Sequence, residues 1–196
     1  LFGGVVGSLY GFLQFVFAPI WGVYSDRHGR RPTLIFTLGG IVLANLIRVF
    51  AGSFALLVLG RALGGIMAGN ISTASAVAAD ITTGKNRASG MIIIGVALGL
   101  GFILGPAIGG FAFSWQLVES GKAVAGLALH PFSGPAIIAL AIAGINWLLG
   151  IFLLSESLPP EKRDQHPAQR GFNPFAQLKR INLPGVASTN LMYFAY

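Results

Sequence analysis

Five unbroken apolar runs, each about the length a helix needs to cross a bilayer, limit this chain more than any other feature. A spanning helix needs ~20 mainly apolar residues for a hydrocarbon core ~30 Å thick. The runs fall at 2–21, 33–51, 54–79, 88–113 and 136–154, and a sixth opens at Leu183 and is still apolar at Tyr196. Lipid admits only helices or closed barrels, because every backbone N–H and C=O must be satisfied internally, and none of these runs shows the period-2 alternation of a barrel strand. The sequence therefore predicts an all-α, polytopic membrane protein with the lipid bilayer as its surroundings. Composition agrees, since 54% of the 196 residues are apolar and 10% charged, too little polar surface for a soluble domain of this size. The chain has no cysteine, so neither a disulfide framework nor a thiolate metal site is available. The apolar run at Leu1 has no charged leader, so no signal peptide is read. Both ends are expected to lie inside a longer sequence.

A net charge of +7 would point to nucleic acid in a soluble protein, but the placement of the charges argues against that partner. Segment 22–32 holds Arg27, Arg30 and Arg31, segment 80–90 holds Lys85 and Arg87, and segment 155–182 holds Lys162, Arg163, Arg170, Lys179 and Arg180. These loops alternate with the spans and share one side. The opposite side, with the turn at Gly52 and the stretch 115–135, carries Lys122. By the positive-inside rule the basic side is cytoplasmic. Segment 155–182, rich in charge and proline, reads as a central loop dividing a bundle at 1–154 from the next span at 183–196.

The motif with the most specific spacing is Gly22-Val-Tyr-Ser-Asp26-Arg27-His28-Gly29-Arg30-Arg31-Pro32. A connection of about ten residues makes the flanking helices neighbours; Gly29 permits a sharp turn, and Pro32 suits the first turn of a helix. A basic anchor with a turn would explain the arginines but not their spacing. The pattern G-x-x-x-D-R-x-G-R-R-P resembles the signature loop between the second and third helices of the major facilitator superfamily. Two further segments resemble that family in the right order. Leu59-Gly60-Arg61-Ala62-Leu63-Gly64-Gly65 is similar to its intramembrane arginine motif, with Gly64 in place of the usual glutamine. Gly101-Phe-Ile-Leu-Gly105-Pro106-Ala-Ile-Gly109-Gly110 is similar to the fifth-helix motif of antiporters, particularly drug:proton exporters related to the tetracycline pumps.

The resemblance covers the whole chain and implies most of the N-terminal six-helix bundle of a twelve-span fold, from the second helix to the start of the seventh. It also implies that Asp80 pairs with Arg30 or Arg31 in a switchable latch, and that Arg61 serves substrate or proton coupling. The fifth-helix glycines are small-xxx-small pairs that let another backbone approach, and Pro106 invites a kink. Tight packing alone would account for them; on the family reading this helix seals one side of the pathway against the other bundle.

Arg61 lies about eight residues inside its span, roughly 12 Å at 1.5 Å per residue. Exposed to lipid it would cost ~2.5–3.5 kcal/mol, so it should face the bundle interior or a wet cavity, where donation to neighbouring carbonyls is the structural alternative. Arg48 lies about three residues from the outer end of its span and is read as snorkelling to the interface. Gln14 and Asn70 are candidates for the pathway, although polar groups in spans more often join helices. His28 and His130 are read as loop residues without a ligand role. Around Gly84-Lys85 a phosphate loop fails at Ala79 and Asn86, the glycines near Gly99–Gly105 do not form G-x-G-x-x-G, and no catalytic cluster remains.

The expected function is thus not enzymatic, with no cofactor or metal. It is proton-coupled efflux of a small organic solute by alternating access, the proton gradient supplying the coupling ion, in a monomer. The alternatives are a uniporter or symporter on the same fold, or a sensor or scaffold that does not transport. The visible spans contain Arg61 but neither Asp nor Glu, which favours anionic or neutral solutes. Ala44 stands where, on the resemblance, tetracycline exporters carry an acid.

Overall fold

The computed structural model describes residues 2–82, 86–114, 123–124, 127–128 and 133–159. Lys85, Lys122, most of the central loop 155–182 and the run 183–196 lie outside the described residues. Six helices form the described structure: α1 (Phe2–His28), α2 (Arg30–Val49), α3 (Phe54–Ala68), α4 (Ile71–Ile81), α5 (Arg87–Ser114) and α6 (Ser133–Leu153). A two-stranded antiparallel ribbon pairs Ala123–Val124 with Leu127–Ala128 between α5 and α6. Among the described residues, five stretches are long and apolar enough to cross a membrane, and α3 and α4 together make one of them. The all-α polytopic expectation holds.

The helix boundaries differ from the hydropathy boundaries in two places. Segment 22–32, expected to be a tight loop of about ten residues, is almost wholly helical. The Gly29 N–H still donates to the Ser25 carbonyl at 3.0 Å, closing the last turn of α1, and α2 begins at Arg30. Only Gly29 breaks the run, with φ 105° and ψ 153°. Hydropathy ends where charge begins, but a helix can continue beyond the hydrocarbon when its charged side chains find partners. The second difference is that the span read as 54–79 is two helices meeting at Gly69-Asn70. The Asn70 N–H donates to the Met67 carbonyl at 3.2 Å, a tightened turn, and the Ala74 N–H to the Asn70 carbonyl at 2.9 Å. A Cβ at Gly69 would stand 2.8 Å from the backbone of Phe17 and Ala18, so the break falls where α1 passes close by.

Helix α2 is the centre of the bundle, packed between α3 and α6, while α1 lies along α3 and α4. The interior is small and polar. Ser25, Thr33, Thr37 and Thr73 are fully or almost fully buried, whereas large residues such as Phe102 and Phe152 face outward, as lipid allows. Hydroxyls and indoles join the helices. Trp21 Nε1 donates to the Ile66 carbonyl at 2.7 Å, Ser72 Oγ to Ala18 at 2.7 Å, Trp147 Nε1 to Ile35 at 3.0 Å and Ser133 Oγ to Val49 at 2.6 Å. Such bonds are effective in lipid because water is not there to compete.

Helix α5 is different. It runs unbroken through Pro106, no residue of its most apolar stretch is buried, and a Cβ added at Gly101, Gly105, Gly109 or Gly110 would meet nothing within 4 Å. Its small-residue groove is not used to pack against the rest of the described chain.

Candidate functional site

At the basic end of the bundle, Arg30 binds groups brought by three other segments. Its Nη1 lies 2.6 Å from Asp26 Oδ1, one turn earlier across the helix junction, and 2.7 Å from Ser25 Oγ; its Nε lies 3.2 Å from Asp80 Oδ2 at the end of α4. The fourth contact comes from beyond α6, where Glu156 Oε1 accepts from the Arg30 backbone N–H at 2.9 Å and from Leu158 N–H at 3.1 Å. Ser157 Oγ adds a 3.3 Å bond to Asp80 Oδ2.

The reason for the Glu156 contact lies in Gly29. The first N–H groups of a helix have no intrahelical partner, and a glycine cap has no side chain to accept from them. Glu156 accepts in its place, and its negative charge suits the positive end of α2. Arg30 is only 7% exposed, so its charge is compensated by close carboxylates rather than by water.

The other predicted members of this motif fall outside that centre. Arg27 is exposed, and Arg31 donates from Nη2 to the Ile151 carbonyl at 2.9 Å, tying α2 to α6. Of the two arginines offered as partners of Asp80, Arg30 is the one paired. Gly22 sits opposite α4, where an added Cβ would meet Ser72 Oγ at 3.6 Å. Glu156 was missed because its place in a polar linker gave no sign of its target; a lone acid just past a span, with basic residues at the same end, was the available signal.

Gly29 supplies a direct test of the junction. Its φ and ψ lie in a region essentially confined to glycine. Gly29→Ala should cost about 2 kcal/mol and lower the thermal midpoint of the purified protein, whereas Gly22→Ala, with ordinary contacts, should leave it nearly unchanged.

The opposite end holds a cavity of about 770 Å³ lined by Arg48, Arg61, Gly105, Gly109, Ser133 and a surround of apolar side chains from α3, α5 and α6. The arginine motif and the fifth-helix glycine motif meet here. Arg48 does not snorkel: its Nε donates to the Ala44 carbonyl at 3.4 Å and its Nη2 to Asn45 Oδ1, so the side chain folds back along α2 instead of reaching out. Position in the span had suggested the interface, but the buried Asn45 acceptor one turn earlier competes for the guanidinium.

Gln14 is half-buried on α1, and no cavity described here includes it. Asn70 donates from Nδ2 to Thr37 Oγ1 at 3.1 Å, joining the α3–α4 break to α2. Among the described residues there is no group of three or more His, Asp or Glu arranged to hold a metal.

A family profile described as Major Facilitator Superfamily matches residues 2–196. The chain is 39% identical over 163 residues to Major facilitator superfamily domain-containing protein 10 of Bos taurus, covering 83% of this chain and 32% of that protein. It is 34% identical over 176 residues to the class C tetracycline resistance protein of Escherichia coli, covering 90% of this chain and 40% of that protein. The crystal structure of the human organic anion transporter MFSD10 (TETRAN) superposes with a TM-score of 0.69 at 35% identity, over 82% of this chain and 34% of that one. The chain thus spans about a third of the length of the first of these relatives.

Proposed function

The chain belongs to the Major Facilitator Superfamily, and on that premise we propose that the protein is a secondary transporter that exports a small organic anion in exchange for protons by alternating access. The observation that carries this reading is the Arg30 network. One nearly buried guanidinium ties α1 to the far end of α4 through two carboxylates, while Glu156 ties the start of α2 to the segment beyond α6. Such a set of bonds is stable in one arrangement and lost in another, which is what a conformational latch requires. The positive-inside rule, applied to the basic loops, supports a cytoplasmic latch. The open glycine groove of α5 is then available to a second bundle, and closure of that contact would seal the pathway.

The far cavity, whose lining contains Arg48 and Arg61 and no Asp or Glu, favours an anionic solute. The superposed human protein is described as an organic anion transporter, which fits the same reading. Ala44 is fully buried beside Gly64 of α3, so this position carries no acid that would favour cations.

Reconstitution in proteoliposomes tests the proposal. An imposed pH gradient should drive fluorescein transport at least tenfold faster than in protein-free vesicles, and an excess of a second organic anion should inhibit it where the cation rhodamine 6G does not. Flux that survives collapse of the gradient would mean uniport, and no gradient-driven flux of either dye would refute the exchange mechanism.

A further inference from the structure

We infer that the break at Gly69-Asn70 is a hinge kept broken by Trp21, and that restoring the helix there turns α4 about its axis and draws Asp80 away from Arg30. This rests on the latch reading for what the motion releases. The hinge itself stands on bonds that α1 and α2 make to the two halves of the span.

In a continuous helix the Ile66 carbonyl accepts from the N–H four residues on, that of Asn70. Here the Asn70 N–H turns to the Met67 carbonyl at 3.2 Å, and the Trp21 indole takes its place, donating from Nε1 to Ile66 at 2.7 Å. An indole does not by itself open a helix, since Trp147 makes the same kind of bond to the Ile35 carbonyl inside the unbroken α2. At Ile66 it stands in for a lost backbone donor. The Asn70 side chain is held too, donating to Thr37 Oγ1, and Thr37 is fully buried on α2. The Ser72 and Thr73 hydroxyls donate to the Ala18 and Trp21 carbonyls of α1, but such hydroxyls can turn back to carbonyls of their own chain, and Ser72 already has one in Gly69 at 3.1 Å.

The backbone at the break is already close to helical. Gly69 has φ −59° and ψ −9°, and Asn70 φ −65° and ψ −8°, so each departs from an α-helix mainly in ψ, by about 30°. These values are near those of a 3₁₀ turn, which inside a helix often marks a hinge, and closing it crosses no forbidden region. A 3₁₀ turn advances about 120° per residue and an α-helix about 100°, so converting two residues rotates α4 by about 40°. A side-chain end about 5 Å from the axis then moves by roughly 3.5 Å. That displacement breaks the 3.2 Å contact of Arg30 Nε with Asp80 Oδ2 and the 3.3 Å contact of Ser157 with the same oxygen.

Closing the hinge exchanges side-chain bonds between helices for a backbone bond within one. Bonds between helices in lipid are individually weak, so the two arrangements are near balance and the latch, about 15 Å along α4, tips it. Trp21 and Arg30 thus bias one two-state element from its two ends, which is the physical condition for coupling between them.

Spin labels at Leu43 of α2 and Ile81 at the end of α4, both exposed positions, read the turn of α4 by electron–electron double resonance, with the full protein in nanodiscs and free of other cysteines. Arg30→Met should add a second label distance, displaced from the first by roughly 4 Å or more. Trp21→Phe leaves Arg30 in place but removes the indole donor, and should raise the population at that same second distance at least threefold over wild type. Asn70→Ala should act in the same direction, because it removes the bond to Thr37 and favours helix. Trp147→Phe should leave the distribution unchanged, since the Ile35 carbonyl keeps its helical partner.

Trp21→Phe and Asn70→Ala distributions that match wild type overturn the hinge. A new distance in Trp21→Phe that differs from the one in Arg30→Met overturns the coupling, as does the absence of any second distance in Arg30→Met. Should Trp21→Phe fail to elute as a folded species, Asn70→Ala decides alone, and Asp80→Asn replaces Arg30→Met on the same condition. The expected shifts without gradient-driven flux in the wild type would count against the transport reading while leaving the hinge intact.

Discussion

Replacing Arg30 with methionine should reduce gradient-driven transport at least tenfold and destabilise the bundle by about 3 kcal/mol. The substitution keeps much of the side-chain length but removes the cation shared by Asp26, Asp80 and Ser25. Taking one partner from a buried ion pair leaves the other charge desolvated and uncompensated, which is why the loss exceeds anything the pair itself contributes. The effect on Asp80 is moderated by its 28% exposed side chain, since water can take up part of the lost interaction. Arg31→Met is the control: that guanidinium is exposed and donates to the Ile151 carbonyl, so its loss should cost under ~1 kcal/mol. Thermal midpoints of the two purified variants, read beside their flux in proteoliposomes, make the comparison. Equal midpoints for Arg30→Met and Arg31→Met would contradict the central position given to Arg30.

Gly65→Leu should prevent assembly more severely still. A Cβ at that position would stand 2.7 Å from the Tyr10 carbonyl oxygen and 3.1 Å from the Tyr10 Cα. These are backbone atoms of α1, so relief requires moving a whole helix. Separating α1 from α3 also weakens the Trp21 bond to Ile66, one residue along α3 from Gly65. Overpacking of this kind costs ~3 kcal/mol or more, and folded protein recovered from membranes should fall at least fivefold by size-exclusion chromatography. Gly40→Ala offers a graded comparison. Its nearest neighbour would be even closer, at 2.6 Å, but that neighbour is the flexible Met67 side chain, which can rotate away. Gly101→Ala, with nothing within 4 Å, should not change recovery. Recovery of Gly65→Leu at wild-type level would show that α1 and α3 do not approach as closely as the structure has them.

The glycines of α3 and α5 show what could and could not be read in advance. Gly65 and Gly105 both belong to glycine-rich stretches in spans, and nothing local distinguishes them. One lies against the backbone of α1 and the other opens onto a cavity. The arginines divide in a similar way. The motif places Asp26, Arg27, Arg30 and Arg31 within six residues, a local cluster of one acid and three bases. Folding reverses that balance around Arg30, burying one base and bringing acids to it from Asp80 and, at its backbone, from Glu156.

Depth along a span was a fair guide for Arg61, which lines a cavity as its position implied. It misled for Arg48, because distance from the end of a helix does not reveal a buried acceptor one turn back.

The five spans, their helical character and the family motifs were legible in the sequence alone, because lipid provides no partner for the backbone and each span must therefore satisfy itself locally. The unbroken helix up to Gly29, the break at Gly69-Asn70, the choice of Arg30 over Arg31 and the meeting of Arg48 with Arg61 were decided only by tertiary structure. Each depends on which helix faces meet, and in a bilayer, where apolar side chains favour lipid and protein almost equally, that choice rests on small residues, hydroxyls and charges whose partners are distant in sequence.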